Sequence, residues 1–232
     1  MDERRLGGVL RDIDQARGVG ADVGSRLCSA CVDVLDVDGA GIMLMTQGEH
    51  HGTLGASNAV MAIVEELQFT LGEGPCIDAF ETTAPVLEPD LDDPADVRWP
   101  AFTGPAVHAG VRAVFGFPLL TETDRLGTLD LYLGEPGPLD AGQIDDAVVL
   151  ASVISHTVLA LQAGAEPGEL GTSLDASLDR RAVVHQASGM VSAQLDIDVA
   201  EALVRIRAHA YTANRPVDAV ARAIVTRHLR LG

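Results

Sequence analysis

The sequence predicts an α+β domain, an antiparallel sheet flanked by helices, followed by an all-α bundle of three short helices. Two hairpins are indicated by pairs of apolar segments that join across short turns. A long apolar helix pattern at 142–162 closes this first part. The segment 163–173 is rich in Gly, Pro and Glu, and only helical patterns follow it. These observations favour two domains with different architectures.

The elements of the first domain follow from its apolar periodicity. The chain begins with predicted helices over 4–17 and 20–37, and the second has Leu27, Cys31 and Val34 on one side. The remaining elements are a hairpin over 38–48 and 52–57, a helix that begins after the N-cap Asn58, a short helix within 71–80, a short strand within 84–91, a short helix within 99–110, and a second hairpin over 112–121 and 125–134. Such hairpins pair in antiparallel fashion, and the helices cover the resulting sheet.

The tail shows three helical patterns. They cover about 179–195, 198–212 and 216–229. Asp198 and Glu201 have the D-x-x-E spacing of a capping box, which predicts the start of the second helix. Pro216 is at a favoured position for the first turn of the third.

Composition limits the class of protein. The chain has 232 residues, of which 47% are hydrophobic, enough for a substantial core. We divide it into a first domain over 1–162, which includes the long final helix, a linker over 163–174 and a helical domain over 175–232. The first residues lack the apolar core of a signal peptide, and no apolar run reaches the roughly 18 residues of a membrane span. Three cysteines fit a reducing compartment. We therefore expect a cytoplasmic protein without a membrane partner.

The catalytic repertoire of the sequence is narrow. It contains no lysine, which excludes the P-loop lysine, the kinase lysine and any Schiff-base lysine. The G-x-S-x-G and H-E-x-x-H motifs are absent as well. Cys28 and Cys31 form a C-x-x-C inside a predicted helix, where buried small hydrophobic side chains are favoured over a metal or redox site. We expect no catalytic residues, no metal site and no cofactor.

Charge is distributed unevenly along the chain. Residues 178–232 hold eight arginines and five acidic residues, a net charge of +3, whereas the whole chain has a formal charge of −18. A basic tail on an acidic body indicates separate partners, an anion for the tail and a different partner for the body.

Five segments of the first domain occur in a characteristic order. They are LGEGPCIDAF (71–80), PVLEPDLDD (85–93), RWPAF (98–102), GVRAVFGFPL (110–119) and LGTLDLY (126–132). In this order they resemble the GAF sensor domain of actinobacterial regulators, over roughly residues 20–162. The resemblance implies a six-stranded antiparallel sheet with helices on both faces.

The GAF resemblance also implies a pocket between the sheet and the segment 58–110. The candidate pocket residues are Glu73, Cys76, Trp99 and Phe102. Core packing is the alternative role for the last three. Because many GAF domains serve mainly as dimerisation modules, both a small-molecule ligand, whose identity the residues do not specify, and dimerisation stay open as roles.

The tail segment VVHQASGMVSAQLDIDVAEALVRIRAHAYTANRPVDAVARAIV resembles the ANTAR domain, an RNA-binding module of bacterial transcription antiterminators, over about 175–230. The resemblance implies a three-helix bundle that binds stem-loops in nascent mRNA and competes with a terminator hairpin. Small residues would let the helices approach closely, and we expect Gly189 to be present for this reason, at a propensity cost of about 1 kcal/mol. The small residues in question are Ala187, Gly189, Ala202, Ala210 and Ala221. The sequence departs from the family pattern at Ser188, where a basic residue is common, and at His209, where an aromatic residue is common.

The candidate RNA contacts are mostly arginines. The apolar positions of the third tail helix fall on one side, which leaves Arg222, Arg227 and Arg230 for solvent or phosphate. Arginine pairs with phosphate and stacks on unpaired bases. The full candidate set is Arg180, Arg181, Gln186, Ser188, Arg207, Arg215, Arg222, Arg227 and Arg230. Ordinary surface arginines are the alternative interpretation.

These features together predict a signal-responsive RNA-binding transcription regulator that acts by antitermination. Two short RNA hairpins require two RNA-binding modules. We therefore expect a homodimer, formed through the helix at 142–162. The alternatives are a DNA-binding regulator, a protein-binding regulator with a GAF dimerisation module, and a redox or metal-dependent enzyme that uses Cys28, Cys31 and Cys76. The modest charge of the tail favours a structured RNA loop over long duplex contacts.

Overall fold

The computed structural model describes residues 23–46, 49–93, 98–122, 124–164, 183–184, 186–213 and 215–231. The predicted helix over 4–17, Arg180, Arg181 and the linker from residue 165 onward lie outside the described residues. The described part consists of an α+β domain followed by helices only, as the sequence predicts.

A five-stranded antiparallel sheet is the centre of the first domain. Its strands are β1 (Gly39–Thr46), β2 (Glu49–Ala56), β3 (Val86–Glu88), β4 (Ala113–Leu120) and β5 (Arg125–Leu133). They lie in the order β2-β1-β5-β4-β3. Both predicted hairpins are present, as β1–β2 and β4–β5. The described residues form five strands rather than the six that the GAF resemblance implied.

One face of the sheet is covered by α1 (Val23–Leu35) and α5 (Ala141–Gly164). Alternate residues of β5, Leu129 and Leu131, point to this side and join Leu27 and Leu150 in the main core. Helices were predicted over 20–37 and 142–162, so both are confirmed to within three residues at each end.

Helix α5 is more apolar than a surface helix requires. By length and composition alone, Ala141–Leu161 is long and apolar enough to cross a membrane, which corrects the expectation that no segment is. The apolarity has a local cause, because Leu150 and Ile154 belong to the core beneath the sheet. Val148 and Leu159 are exposed on other sides of the helix. The helix therefore has an apolar surface in addition to the one that the sheet covers.

The opposite face of the sheet carries α2 (Ala59–Leu71), α3 (Pro75–Thr82) and α4 (Thr103–His108). Asn58 begins α2 as predicted, because its extended backbone lets Oδ1 accept a hydrogen bond from the Met61 amide at 2.9 Å. Gly72 ends the helix with a left-handed φ of +67°, and its N–H donates to the carbonyl of Gln68. These caps set the length of α2, which packs on β1 and β2.

The described part of the tail forms three helices, α6 (183–184 and 186–195), α7 (Val199–Thr212) and α8 (Val217–Val225). Asp198 caps α7, and its Oδ1 accepts from the Glu201 amide at 2.7 Å, as the capping-box spacing predicts. Helix α8 ends at Val225, four residues earlier than predicted, because Arg227 adopts a left-handed φ of +61°.

The helices of the tail pack through small side chains. Ala187, Ala202, Ala210 and Ala221 are all fully buried in one core with the larger side chains Val191, Ile206, Val220 and Ile224. This confirms the expectation that alanines allow the short helices to approach closely. Close approach increases the buried apolar area of a bundle that is small by itself.

Gly189 does not have the role that the sequence suggested. It lies on the exposed side of α6, and a Cβ built at this position would meet no atom within 4 Å. The buried positions on the same helix are Ala187, Ser188 and Val191, so the expected close crossing at Gly189 is wrong.

Replacement of Gly189 by alanine should stabilise the protein. The site is an exposed helix interior with room for a methyl group, so the free energy of unfolding should rise by about 0.5–1 kcal/mol. Denaturant unfolding of the full chain, followed by circular dichroism, measures the change. A fall in stability would mean that Gly189 has a close contact which this arrangement of helices lacks.

Candidate nucleic-acid interface and buried acidic cluster

Two carboxyl side chains are buried together between α2 and the sheet. Glu65 of α2 and Asp130 of β5 are each only 1% exposed, and Gln68 beside them is fully buried. Asp130 lies opposite Gly41 of β1 and Gly116 of β4. A Cβ at Gly41 would overlap Oε1 of Glu65, so this glycine makes the space for the acid. We call Glu65, Gln68 and Asp130 the acidic cluster.

The acidic cluster requires a bound proton. If both carboxyl groups were ionised, both oxygens of Glu65 and Oδ1 of Asp130 would lack a donor among the described residues. Burial, together with the adjacent Asp130, raises the pKa of Glu65 well above its ordinary value. Burial also raises the pKa of Asp130 to about 7, although the Thr128 hydroxyl and the nearby side chains of Glu65 and Gln68 oppose this shift. A neutral Glu65 that donates to Asp130 therefore satisfies the pair.

Two further contacts connect the acidic cluster to its surroundings. The Thr128 hydroxyl donates to Oδ2 of Asp130 at 3.1 Å. The Gln68 side-chain carbonyl accepts from the Cys76 amide at 2.8 Å, at the start of α3. Cys76 itself is fully buried, and burial raises the pKa of its thiol well above the ordinary value. The cluster thus links β5, α2 and α3 through polar side chains without solvent contact.

The remaining predicted pocket residues bind one another. Oε1 of Glu73 accepts from the amides of Ala101 at 2.6 Å and Phe102 at 2.8 Å. The Trp99 indole donates to Asp78 at 3.0 Å, and its ring meets that of Phe102 edge to face with centroids 6.1 Å apart. Glu73, Trp99 and Phe102 therefore hold the loop before α4 against α3, while Cys76 packs in a separate apolar cluster.

The acidic cluster was missed by the sequence interpretation, although a signal for it exists. Glu65 and Gln68 share the buried side of α2 with Met61 and Val64. Asp130 alternates in β5 with apolar residues that face the other side of the sheet. The periodic patterns of α2 and β5 each place a carboxyl group at a buried position, which indicates paired or protonated groups.

In the tail, most of the predicted RNA-contacting side chains are on the surface. Those that are exposed and described are Gln186, Arg215, Arg222, Arg227 and Arg230. The Arg222 guanidinium lies 3.8 Å from Asp218 one turn earlier on α8, a loose pair at the surface. These residues come from α6, α8 and the segments that flank α8, so the bundle presents arginines in several places.

Ser188 does not belong to this set. It is 1% exposed, and its hydroxyl donates to the Val184 carbonyl at 2.9 Å within α6. The side chain faces the core of the bundle because it follows Ala187 and precedes Val191 on the buried side of the helix. The prediction of Ser188 as an RNA contact is therefore corrected.

Arg207 is also not at the free surface that the sequence suggested. Its side chain lies over Gly72, at the C-terminal end of α2, where Nη1 is 2.7 Å from the position of a built Cβ. Its Nε is buried without a hydrogen-bond partner among the described residues. Burial lowers the pKa of this guanidinium from its ordinary value. A contact between the two domains thus covers one of the predicted RNA contacts.

An exposed aromatic side chain lies on α7. Tyr211 is 53% exposed and Val204, two turns earlier on the same helix, is 59% exposed. His209, which occupies the position where an aromatic residue is common, is half-buried instead. Tyr211 is therefore the aromatic ring of α7 that solvent or a partner can reach.

Comparison with known families agrees with both parts of this architecture. Residues 21–162 match the GAF domain, and residues 172–225 match the ANTAR domain. The chain belongs to the GAF family, and its GAF domain is followed by an ANTAR domain. Both are regulatory domains: a GAF domain indicates a sensor, and an ANTAR domain indicates RNA-binding regulation by antitermination. No curated protein matches the chain.

Solved structures with a similar fold include GAF domains. That of a phosphoenolpyruvate-protein phosphotransferase from Acinetobacter is 15% identical with a TM-score of 0.54, and the match covers 70% of this chain and 98% of that one. The GAF domain of a phosphoenolpyruvate-protein phosphotransferase from Coxiella burnetii is 16% identical with a TM-score of 0.50, over 70% of this chain and 98% of that one. A GAF domain/HD domain protein from Geobacter sulfurreducens is 11% identical with a TM-score of 0.50, over 64% and 99%. At these identities the likeness shows the fold alone.

Replacement of Glu65 by glutamine should reduce the pH dependence of stability. In an unfolded chain both acids ionise near about pH 4, whereas the folded pair retains a proton because burial raises both pKa values. The wild type should therefore lose stability as the pH rises from about 4 towards the raised pKa of Asp130 near 7. Glu65→Gln keeps a donor beside Asp130 at every pH and should be more stable above pH 7, by about 1–3 kcal/mol.

Thermal unfolding between pH 5 and about pH 8.5 tests this expectation. Glu135→Gln, which removes an exposed carboxylate of the same domain, is the matched control. Parallel pH profiles for the wild type and Glu65→Gln would show that the two acids do not share a proton.

Proposed function

We propose that this protein is a signal-responsive, RNA-binding transcription regulator that acts by antitermination. Its ANTAR domain would bind paired stem-loops in nascent mRNA, and its GAF domain would sense the signal. The observation that supports this most is the position of the arginines in the tail. Arg222, Arg227 and Arg230 are all exposed on or just after α8, while the apolar side of that helix is buried.

The chemistry of these side chains suits RNA. A guanidinium forms two parallel hydrogen bonds to a phosphate and stacks on an unpaired base. Tyr211 adds an exposed ring of the kind on which loop bases stack. The acidic first domain repels a polyanion, so the tail is where RNA would be held.

The GAF domain would act as a sensor rather than an enzyme. Its three cysteines are buried, and burial raises the pKa values of all three thiols, which disfavours the thiolates that redox or metal chemistry requires. We propose that no catalytic residue or cofactor is needed, and that a small-molecule signal acts near the acidic cluster. Action on nascent mRNA implies a cytoplasmic protein.

We further propose that the protein works as a homodimer through α5. Val148, Val149 and Leu159 are exposed on this helix, outside the side that packs on the sheet. Two copies that cover these side chains would place two ANTAR domains in one particle. The unit then consists of a sensor over 1–162, a linker over 163–174 and an effector over 175–232.

Arg222→Ala and Arg227→Ala should each weaken binding to hairpin RNA and leave stability within about 0.5 kcal/mol. Each should also reduce the slope of log affinity against log salt by about one phosphate contact. The measurement is fluorescence anisotropy with a labelled hairpin RNA over a series of salt concentrations. Arg26→Ala, an exposed arginine of the GAF domain, is the matched control.

Equal affinity of all four proteins at every salt concentration would remove the α8 arginines from the RNA contact. A duplex DNA of equal length serves as the competitor. Tighter binding of the DNA than of the RNA would identify a DNA-binding regulator instead.

Val148→Asp should separate the dimer, because it places a charge in the proposed contact while its own site is exposed in the single chain. Sedimentation should then show a monomer with the thermal stability of a folded chain. On an RNA with two hairpins the variant should bind more weakly by about 10²-fold or more, since linked modules gain that much from avidity. A variant that remains dimeric would place the contact elsewhere.

A further inference from the structure

Helix α2 contacts both domains. On one side it carries Glu65 and Gln68 of the acidic cluster. Phe69, the next residue, packs on the apolar cluster around Met43 and Cys76 and also on the core of the ANTAR bundle. The helix therefore lies between the buried centre of the sensor and the effector domain.

The end of α2 is shaped to receive an arginine. Gly72 has no side chain, and the Arg207 guanidinium lies in the space that a Cβ would occupy, with Nη1 2.7 Å from its position. The left-handed φ of +67° at Gly72 also turns the chain away from the helix axis there. The last carbonyls of α2 carry the negative end of the helix dipole, which attracts a cation to this end.

In this position the hydrogen-bonding capacity of Arg207 is only partly used. Its Nε is buried and has no hydrogen-bond partner among the described residues, although a buried charged donor is costly when left unpaired. An RNA phosphate offers the acceptor that is missing here. The two environments therefore compete for one side chain.

We propose that the GAF domain holds the ANTAR domain in a closed state, in which α2 covers Arg207 and Phe69 packs on the bundle, so that RNA binding and this contact exclude each other. This inference rests on the proposed RNA-binding function and adds its regulation. A signal that alters the acidic cluster acts on the same helix that retains Arg207. RNA binding must in turn favour the open state, because coupling between two sites is reciprocal.

The size of the effect follows from the closed fraction. The apparent Kd equals the intrinsic Kd divided by the fraction of open molecules, so a protein that is about 90% closed binds RNA about tenfold more weakly than an open one. A substitution that opens the contact should recover this factor, provided that it spares the RNA-contacting side chains.

Gly72→Asn is the substitution that tests the closed state. Asparagine tolerates the left-handed conformation better than other side chains, and its Cβ would come within 2.7 Å of Nη1 of Arg207, so that the guanidinium must leave its present position. The control is Gly110→Asn, at a glycine with a φ of +97° and no atom within 4 Å of a built Cβ. Phe69→Leu is a second opening variant, which keeps an apolar side chain for the GAF cluster while it removes the ring from the bundle.

The affinity of the full chain for a labelled hairpin RNA is measured for the wild type and the three variants, after thermal unfolding has shown which are folded. Gly72→Asn and Phe69→Leu should each bind RNA more tightly, by up to about tenfold, and Gly110→Asn should bind as the wild type does. Hydrogen exchange of the Gly72 amide, which donates to Gln68 at the end of α2, should be faster in the wild type when RNA is added.

Equal RNA affinity of the wild type and both opening variants would overturn the closed state and leave the proposed function intact. Unchanged exchange at the end of α2 with bound RNA would overturn it as well. Failure of every protein to bind hairpin RNA, even at low salt, would instead overturn the proposed function and this inference together.

Discussion

The arrangement of the first domain depends on a proton shared between Glu65 and Asp130. Two ionised carboxylates could not be buried together without a cation to pair with them. With one proton between them, α2 can lie directly on the sheet, with Glu65 against Gly41 of β1. The polar chain continues through Gln68 to the Cys76 amide at the start of α3. The helix that the pair positions is the one that also reaches the tail, so the inside of the sensor and its outer contact are parts of one element.

A different constraint governs the tail. Its three helices are short, and they bury enough apolar area only because alanines at their crossings let them come close. The same requirement decides which polar side chains can reach a partner. Ser188 is small enough to be buried with its hydroxyl bonded inside the helix, and it is lost as a contact. Gly189, one residue further, faces solvent. The residues that remain outside include five arginines, whose long side chains extend beyond the packed core.

Charged and apolar surfaces are distributed differently over the two domains. The acidic body disfavours any polyanion near the sensor, and the arginines of the tail supply attraction where the body does not. The sequence places Arg207 among the arginines expected to attract RNA. In the structure it lies against the sensor, where its Nε lacks a hydrogen-bond partner among the described residues. The exposed apolar side chains of α5 lie on a separate helix. The RNA binding, regulation and dimerisation that we propose therefore fall on different elements, α8, α2 and α5.

The sequence by itself determined the order of the elements, the caps at Asn58 and Asp198, and the two families, because periodicity and capping depend on residues within a few positions of each other. The tertiary structure alone decided which distant side chains meet. Glu65 and Asp130 are 65 positions apart, and their contact depends on how α2 lies on the sheet. The outward position of Gly189 depends on the rotation of α6 about its axis. The contact of Arg207 with Gly72 depends on the docking of α7 against α2. A local sequence pattern identifies the buried side of a helix only approximately. The contacts of residues at the edge of that side depend on which other elements pack against the helix.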